Sequence, residues 1–379
     1  MTDPTATWQY LLARACTFRA SDIHIEPNAL SLRCRFRIDG VLVPHDQLAD
    51  PLPLLVTRDA LCAHIKVQAG MDIAQRRLPQ DGHLTYKGAP NQIWDCRVSS
   101  LPTVDGEKLV IRILGQATQQ NQLADLGYTS AQLKTLEGAL DAPNGLILMT
   151  GPTGCGKTIS LYSCLQRLNA PTVNICTVED PVEMPISGVQ HLQVNEKAGL
   201  SFPVALRAFL RQDPDVIMVG EIRDDLTATI SIQAAQTGHL VLSTLHTNDA
   251  PSALIRLVHM GIPPIQIASA VRLVTAQRLL RRLCPRCKQP LSNNDRNATV
   301  RYGSKGCIHC VNGYQGRIGI FEVLPMTPDL SAALLAHTSL KGLATICEDQ
   351  GVETLNQSGQ RLVESGLTSI EELRRHVDF

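Results

Sequence analysis

An α/β fold in three parts is what this sequence predicts: a small α+β domain, a parallel-sheet domain built around a phosphate loop, and a helical C-terminal region carrying a cysteine cluster. Three observations carry it. Gly151-Pro152-Thr153-Gly154-Cys155-Gly156-Lys157-Thr158 is a complete Walker A pattern, Gly, four residues, Gly-Lys-Thr. Ahead of it, Leu32, Cys34, Phe36 and Ile38 alternate with Arg33, Arg35 and Arg37. Between Gly145 and Ala250, apolar strand candidates recur at Leu146–Thr150, Val173–Val178, Val216–Val219 and Leu240–Thr244 with helical stretches between them. That alternation is the pattern of a mostly parallel sheet covered by helices.

The small domain is expected over residues 1–114. Ile23-His24-Ile25-Glu26 reads as a strand, and the period-two run from Leu32 to Ile38 ends in Asp39-Gly40, a hairpin signal with one buried face. Its other face then carries three arginines. Leu109-Val110-Ile111-Arg112-Ile113-Leu114 is a further strand candidate. A linker is expected over 115–125, because Gln-Ala-Thr-Gln-Gln-Asn-Gln at 116–122 is polar and aperiodic. The core is expected over 126–270, a cysteine module over 271–325, and a helical region over 326–379.

At 379 residues the chain is long enough for two or three domains. Lys+Arg and Asp+Glu both total 35, so no global positive field draws it to nucleic acid or to anionic lipid. The start lacks the order of a signal peptide, and no apolar run approaches the ~20 residues of a membrane span. A cytoplasmic protein with no direct membrane span is expected. Of twelve cysteines, eight sit singly among apolar neighbours and read as core filler.

The chemistry concentrates at four places. Walker A, between an apolar strand and a helix, predicts a polyphosphate held by the loop residues Gly151, Pro152, Thr153, Gly154, Cys155 and Gly156, all but the proline offering a backbone N–H, with Lys157 on the β/γ-phosphates and the Thr158 hydroxyl on Mg²⁺. Asp213-Pro214-Asp215-Val216-Ile217-Met218-Val219-Gly220-Glu221 reads as a Walker B strand delivering the Glu221 carboxylate. It lies 63 positions (221 minus 158) beyond the phosphate loop. Thr177-Val178-Glu179-Asp180-Pro181-Val182-Glu183 puts three carboxylates at the end of another strand, and a Mg²⁺ site would offset their repulsion. His246, where a strand meets a polar turn, is placed to sense a γ-phosphate.

These four segments resemble the Walker A, aspartate box, Walker B and histidine box of the secretion ATPase superfamily, the motors of type II secretion and type IV pilus biogenesis. The similarity extends to Ala20-Ser21-Asp22-Ile23-His24-Ile25-Glu26-Pro27, Arg35-Phe36-Arg37-Ile38-Asp39-Gly40 and Arg77-Leu78-Pro79-Gln80-Asp81-Gly82. The resemblance implies a RecA-like ATPase core, a PAS-like small domain, and ATP with Mg²⁺. It implies Glu221 as catalytic glutamate, Glu179, Asp180 and Glu183 as the aspartate box, and His246 in the histidine box. It also implies arginine fingers from the small domain, with Arg35 and Arg37 on one strand face and Arg76, Arg77, Arg97 and Arg112 as further candidates. The implied assembly is a homo-hexamer acting on an inner-membrane platform protein, peripheral to the membrane. Three departures stand out: Cys155 replaces a serine and is expected to be oxidisable; His83 replaces an arginine; and the chain starts almost at the arginine-bearing domain, without the longer extension used for docking in that family, which puts the usual docking mode in question.

Cys284-Pro285-Arg286-Cys287 and Cys307-Ile308-His309-Cys310 are separated by 19 residues (288 to 306). Paired Cys-x2-Cys at this spacing predicts a closed, structural Zn²⁺ site, with two disulfides as the alternative. By resemblance, such a module marks assembly motors rather than retraction motors. The function implied is assembly of a secretion pseudopilus or a type IV pilus. A retraction motor, a DNA translocase and a nucleotide-binding adaptor without activity remain the rival readings.

Overall fold

The computed structural model describes residues 2–28, 31–88, 92–114, 122–291 and 301–377, so most of the expected linker lies outside the described residues. The chain divides into two units. Unit 1 takes Met1–Gln119, Leu283–Pro290 and Gly303–Gly316; unit 2 takes Gln120–Arg282, Leu291–Tyr302 and Arg317–Phe379.

Unit 1 opens with α1 (Pro4–Thr17), capped by Asp3, whose carboxylate accepts from Ala6 N. Strands β1 (Ala20–Asn28), β2 (Ser31–Ile38) and β3 (Val41–Pro44) follow, then α2 (Arg58–Gln68), β4 (Gln80–Gly88), β5 (Gln92–Thr103) and β6 (Gly106–Leu114). The strands form one sheet in the order β3-β2-β1-β6-β5-β4. The period-two reading holds: Ile23 pairs with Phe36 and Ile25 with Cys34, and these side chains are buried with Ile38, Val98, Leu109 and Ile111. Trp8, Leu11, Leu61 and Ile65 of α1 and α2 belong to the same core. Each fully buried aliphatic side chain there is worth roughly 1.5–3 kcal/mol. The alternate positions place Asp22, Glu26, Arg35, Arg37 and Arg112 on the opposite face.

Unit 2 contains α3 (Ser130–Leu140), β7 (Gly145–Thr150), α4 (Lys157–Leu168), β8 (Ile175–Glu179), β9 (Val189–Gln193), α5 (Phe202–Phe209), β10 (Val216–Val219), α6 (Asp225–Gln236), β11 (Leu240–Leu245), α7 (Ala250–His259), α8 (Pro264–Ala270) and β12 (Val271–Leu283). After the short β13 (Lys288–Pro290) and β14 (Tyr302–Ser304), which pair with each other, come β15 (Tyr314–Pro325), α9 (Pro328–Leu335), α10 (Leu340–Asp349), α11 (Leu355–Glu364) and α12 (Ile370–His376). The large sheet runs β15-β12-β7-β11-β10-β8-β9. Pairings from β12 through β9 are parallel. Every residue of β7, β8, β10 and β11 is buried, as strands covered on both faces require. Along β7, Leu146 and Leu148 join the core that includes α5, α6 and α7, while Ile147 and Met149 join the core with α3 and α4.

Two expectations about the C-terminal part need correction. Residues 271–283 and 314–325 are long sheet strands rather than part of a helical region. The run Val-Arg-Leu-Val-Thr-Ala-Gln-Arg-Leu-Leu has no clean alternation because both of its faces are covered, so its periodicity alone does not separate strand from helix. Nor is 271–325 one module. Most of β12 and most of β15 belong to unit 2, whereas the cysteine-bearing segments group with the N-terminal domain. Val311 packs against the unit 1 core, and Gly316 N donates to Asp39 Oδ2 at 2.8 Å.

Candidate active site and metal centre

Parallel strands end on the same edge of their sheet, so β7, β11, β10 and β8 deliver their C-terminal residues to one place. The phosphate loop follows β7. Gly151 has φ 147°, and a Cβ there would lie 2.6 Å from both Cys155 Sγ and the Gln277 carbonyl oxygen, so no side chain fits. Gly156, left-handed at φ 94°, is the N-cap of α4 and turns the chain into the helix.

Lys157, the first residue of α4, is buried, and its Nζ donates to Gly151 O at 2.6 Å and to Pro152 O at 3.1 Å. Burial, more than any neighbour, holds its pKa below the ordinary lysine value. The ammonium therefore sits inside the loop, bonded to carbonyls that phosphate oxygens would replace as stronger, charged acceptors. Thr158 is exposed at the next position, free of any packing role. Cys155 corrects an expectation: it is buried, and burial pushes its thiol up against the opposing pull of Lys157 and Arg278. A protonated, enclosed thiol is a poor target for oxidation.

Glu221 follows β10, fixed by flanking backbone bonds from Gly220 N to Val178 O at 2.8 Å and from Ile222 N to Thr244 O at 2.9 Å. The Thr244 hydroxyl donates to Gly220 O at 2.7 Å. One carboxylate oxygen accepts from Arg223, and the other lies 3.6 Å from His246 Nε2. Burial and Lys157 lower the His246 pKa while Glu221 opposes them, so the imidazole is largely neutral at pH 7. The turn bearing His246 is tied to the end of β7: Thr247 N donates to Thr150 Oγ1 at 2.9 Å, and the two threonine hydroxyls lie 2.7 Å apart.

The carboxylates at the end of β8 do not converge. Glu179 is buried and accepts from the Tyr162 hydroxyl, from Thr177 Oγ1 at 2.6 Å and from His191 Nδ1 at 2.8 Å. Burial, then Glu179, pushes the Tyr162 hydroxyl well above its ordinary pKa, which keeps it a donor. Asp180 is half exposed, 3.9 Å from Arg223, and Glu183 is exposed. Among the described residues, Glu179, Asp180 and Glu183, expected as one acidic cluster, do not come together at a shared ion-binding point. Strand alternation turns Thr177 and Glu179 the same way, into the layer beneath the sheet, where hydrogen bonds satisfy them.

In unit 1, the expected finger residues are engaged to different degrees. Arg35 binds Glu26 through two bonds of 2.8 and 2.7 Å, and Lys108 reaches the same carboxylate at 3.0 Å. Burial alone would raise Glu26, but Arg35 and Lys108 together hold it at about 2. Arg37 lies 3.7 Å from Asp22 and donates to Gly40 O at 3.0 Å. Arg112 touches Asp22 at 3.1 Å while its side chain is 65% exposed. His83 pairs with Asp95 at 3.2 Å on the surface.

Also in unit 1, the four cysteines 284, 287, 307 and 310 bring their sulfurs within 4.8 Å of one another. The gaps are 3.8 Å between Cys284 and Cys307 and 3.7 Å for Cys287–Cys310 and Cys307–Cys310. Four thiolates at about 2.3 Å from a tetrahedral ion stand about 3.8 Å apart, whereas a disulfide needs about 2.05 Å. The spacing therefore fits a shared metal ion and not two disulfides. Cys307 N donates to Cys310 Sγ at 3.2 Å, a bond that supports a thiolate. Among the described residues this is the one cluster of three or more His, Cys, Asp or Glu groups able to share an ion.

Sequence reasoning missed the residues that brace the phosphate loop from β12. Gln277 Nε2 donates to Cys155 O at 2.8 Å, and Arg278, also buried, donates to Gln277 O and to Asn248 O at 3.0 and 2.9 Å. Their signal was a Gln-Arg pair inside an apolar run. Glu322 on β15 is buried and accepts from Ala250 N at 3.1 Å; burial raises its pKa to about 7. A carboxyl raised in the fold contributes stability fully below its unfolded pKa of about 4.3, and that contribution is lost as pH rises through 7. Glu322→Gln should therefore make thermal stability less dependent on pH between 5 and 8, with the gain at pH 8. An unchanged pH profile of melting temperature would contradict this.

The fold and site define a P-loop protein of the nucleoside-triphosphate-binding class, with a carboxylate and a neutral histidine beside the phosphate loop. The sequence model of the Type II/IV secretion system protein family matches residues 6–375, and the chain belongs to that family. It is 48% identical over 371 residues to the protein transport protein HofB homolog of Escherichia coli (strain K12), covering 96% of this chain and 79% of that protein. It is 46% identical over 379 residues to the type IV pilus assembly ATPase PilB of Acinetobacter baylyi, covering 96% of this chain but only 65% of that one. The chain thus spans about two thirds of the length of that pilus relative. Among solved structures, the pilus retraction motor PilT with bound ADP superposes with TM-score 0.68 at 25% identity, over 97% of this chain and 96% of that one. The ATPase DotB of Legionella pneumophila shares the fold, with TM-score 0.76 at 20% identity over 99% and 95% of the two chains. No described helix is long and apolar enough to cross a membrane.

Proposed function

We propose that this chain is an ATP hydrolase that powers assembly of a type IV pilus or a type II secretion pseudopilus. The observation that carries the reading is the convergence, on one sheet edge, of Lys157 inside its loop with the Glu221–His246 pair 3.6 Å apart. Lys157 and the loop amides hold the β- and γ-phosphates, and Thr158 offers its hydroxyl to Mg²⁺, which neutralises phosphate charge when bound. Glu221 polarises the attacking water, and Arg223 and His246 orient its carboxylate. Neutral His246 can donate to a γ-phosphate oxygen, so loss of that phosphate is felt at the turn after β11.

Unit 1 supplies arginines to the reaction. Arg112, like Arg76, keeps a largely exposed side chain for that role, while Arg35 is committed to Glu26. The four cysteines hold one structural Zn²⁺. The working assembly is a homo-hexamer that engages an inner-membrane platform protein from the cytoplasm. Relatives bearing the name of assembly ATPases, together with the cysteine cluster, favour assembly over retraction. The balanced charge gives no support to a DNA-translocating role.

Deleting the gene in its own host and restoring it with Lys157→Ala tests the reading. Loss of surface pili or of a secreted protein is expected in both strains. Piliation and secretion that persist in both would contradict it.

A further inference from the structure

Arg278 stands where two loops of the hydrolytic site meet. β12 pairs with β7 as far as Ala276 opposite Thr150, so Gln277 and Arg278 continue alongside the phosphate loop. The Gln277 carbonyl lies against Gly151 and its amide holds Cys155 O. From there Arg278 Nη1 donates to Gln277 O at 3.0 Å, and Nη2 donates to Asn248 O at 2.9 Å, two residues past His246. The residue as a whole is only 8% exposed. A buried cation is costly unless its donors are satisfied, and a planar fork can serve two carbonyls in different directions where an ammonium serves them poorly. An apolar residue would fill the same space without that cost. What it would lack is the bridge between the strand bracing Cys155 and the turn carrying His246.

We propose that Arg278 is a positioning residue that sets the His246 turn relative to the phosphate loop and so governs turnover more than nucleotide affinity. This rests on the reading of His246 as a member of the hydrolytic site. Displacing a catalytic group by about 1 Å can slow turnover about 100-fold, whereas the Lys157 bonds that set the diphosphate site go to Gly151 O and Pro152 O and not to the turn.

The test is a double-mutant cycle between Arg278→Lys and His246→Ala in the full chain, reading kcat, KM for ATP, ADP affinity and melting temperature. Arg278→Lys should lower kcat at least about tenfold, with ADP affinity within about threefold of wild type. Added to His246→Ala, it should cost little more, because both changes remove one arrangement. Arg278→Gln, which keeps an amide donor without the buried charge, should give the same pattern and covers the case in which the lysine variant does not fold. Turnover intact in His246→Ala sinks the role of His246 and this inference with it. Turnover lost there, but lost again in full on adding either Arg278 change, sinks the inference alone, as does a loss confined to ADP affinity.

Discussion

Glu221→Gln should bind ATP and ADP as wild type does and hydrolyse ATP about 1,000-fold more slowly. The change is isosteric, and the hydrogen bonds that hold Lys157 inside the loop go to Gly151 O and Pro152 O, so the phosphate cradle keeps those bonds. What disappears is the negative charge able to accept a proton from water, a contribution worth about 10² to 10⁴ in rate. The backbone bonds that flank Glu221 and the Thr244 hydroxyl on Gly220 hold position 221 whichever side chain it carries, so the effect should fall on kcat. Phosphate-release kinetics beside fluorescent-nucleotide titration separates the two quantities. Turnover within threefold of wild type would remove Glu221 from the chemistry.

The second large effect lies in unit 1. Purified protein should contain about one zinc per chain, and Cys310→Ser should lower that content and the melting temperature together. The sulfur of Cys310 is 3.7 Å from those of both Cys287 and Cys307, so its loss opens the ligand set on two sides. Structural zinc contributes about 10–16 kcal/mol of apparent binding free energy in isolated zinc peptides. Here the segment is also fastened by Val311 against the unit 1 core and by the Asp39–Gly316 bond. The expected consequence is therefore loosening of unit 1 rather than loss of its fold, with a drop of at least about 3 °C. Wild-type protein free of zinc when purified without chelator would defeat the assignment. A Cys310→Ser variant with full zinc and an unchanged melting temperature would do the same.

Much of the site was legible because its chemistry is local. The phosphate loop, Glu221 after a four-residue apolar strand and His246 at a strand end each announce themselves within a dozen residues, and parallel pairing does the rest. The hydrogen-bond partners of Glu179 were not legible because they come from Tyr162, 17 positions earlier, and His191, 12 positions later. Carboxylates that are adjacent in sequence look like a cluster until a strand sends them to opposite sides. Gln277 and Arg278 were missed because β12 is covered on both faces and shows no period of two. The cysteine spacing was legible, but its membership of unit 1 was not. That is decided by contacts such as Asp39 with Gly316, 277 residues apart, which no local pattern encodes.

The central claim is that the loop from Gly151 to Thr158 supports hydrolysis, and phosphate release from MgATP by the purified chain tests it most directly. Wild-type protein should release phosphate, and Lys157→Ala, which removes the ammonium placed inside the loop, should reduce that release to the buffer rate. Phosphate release that survives Lys157→Ala, or wild-type protein that binds ATP and never hydrolyses it, would contradict the account.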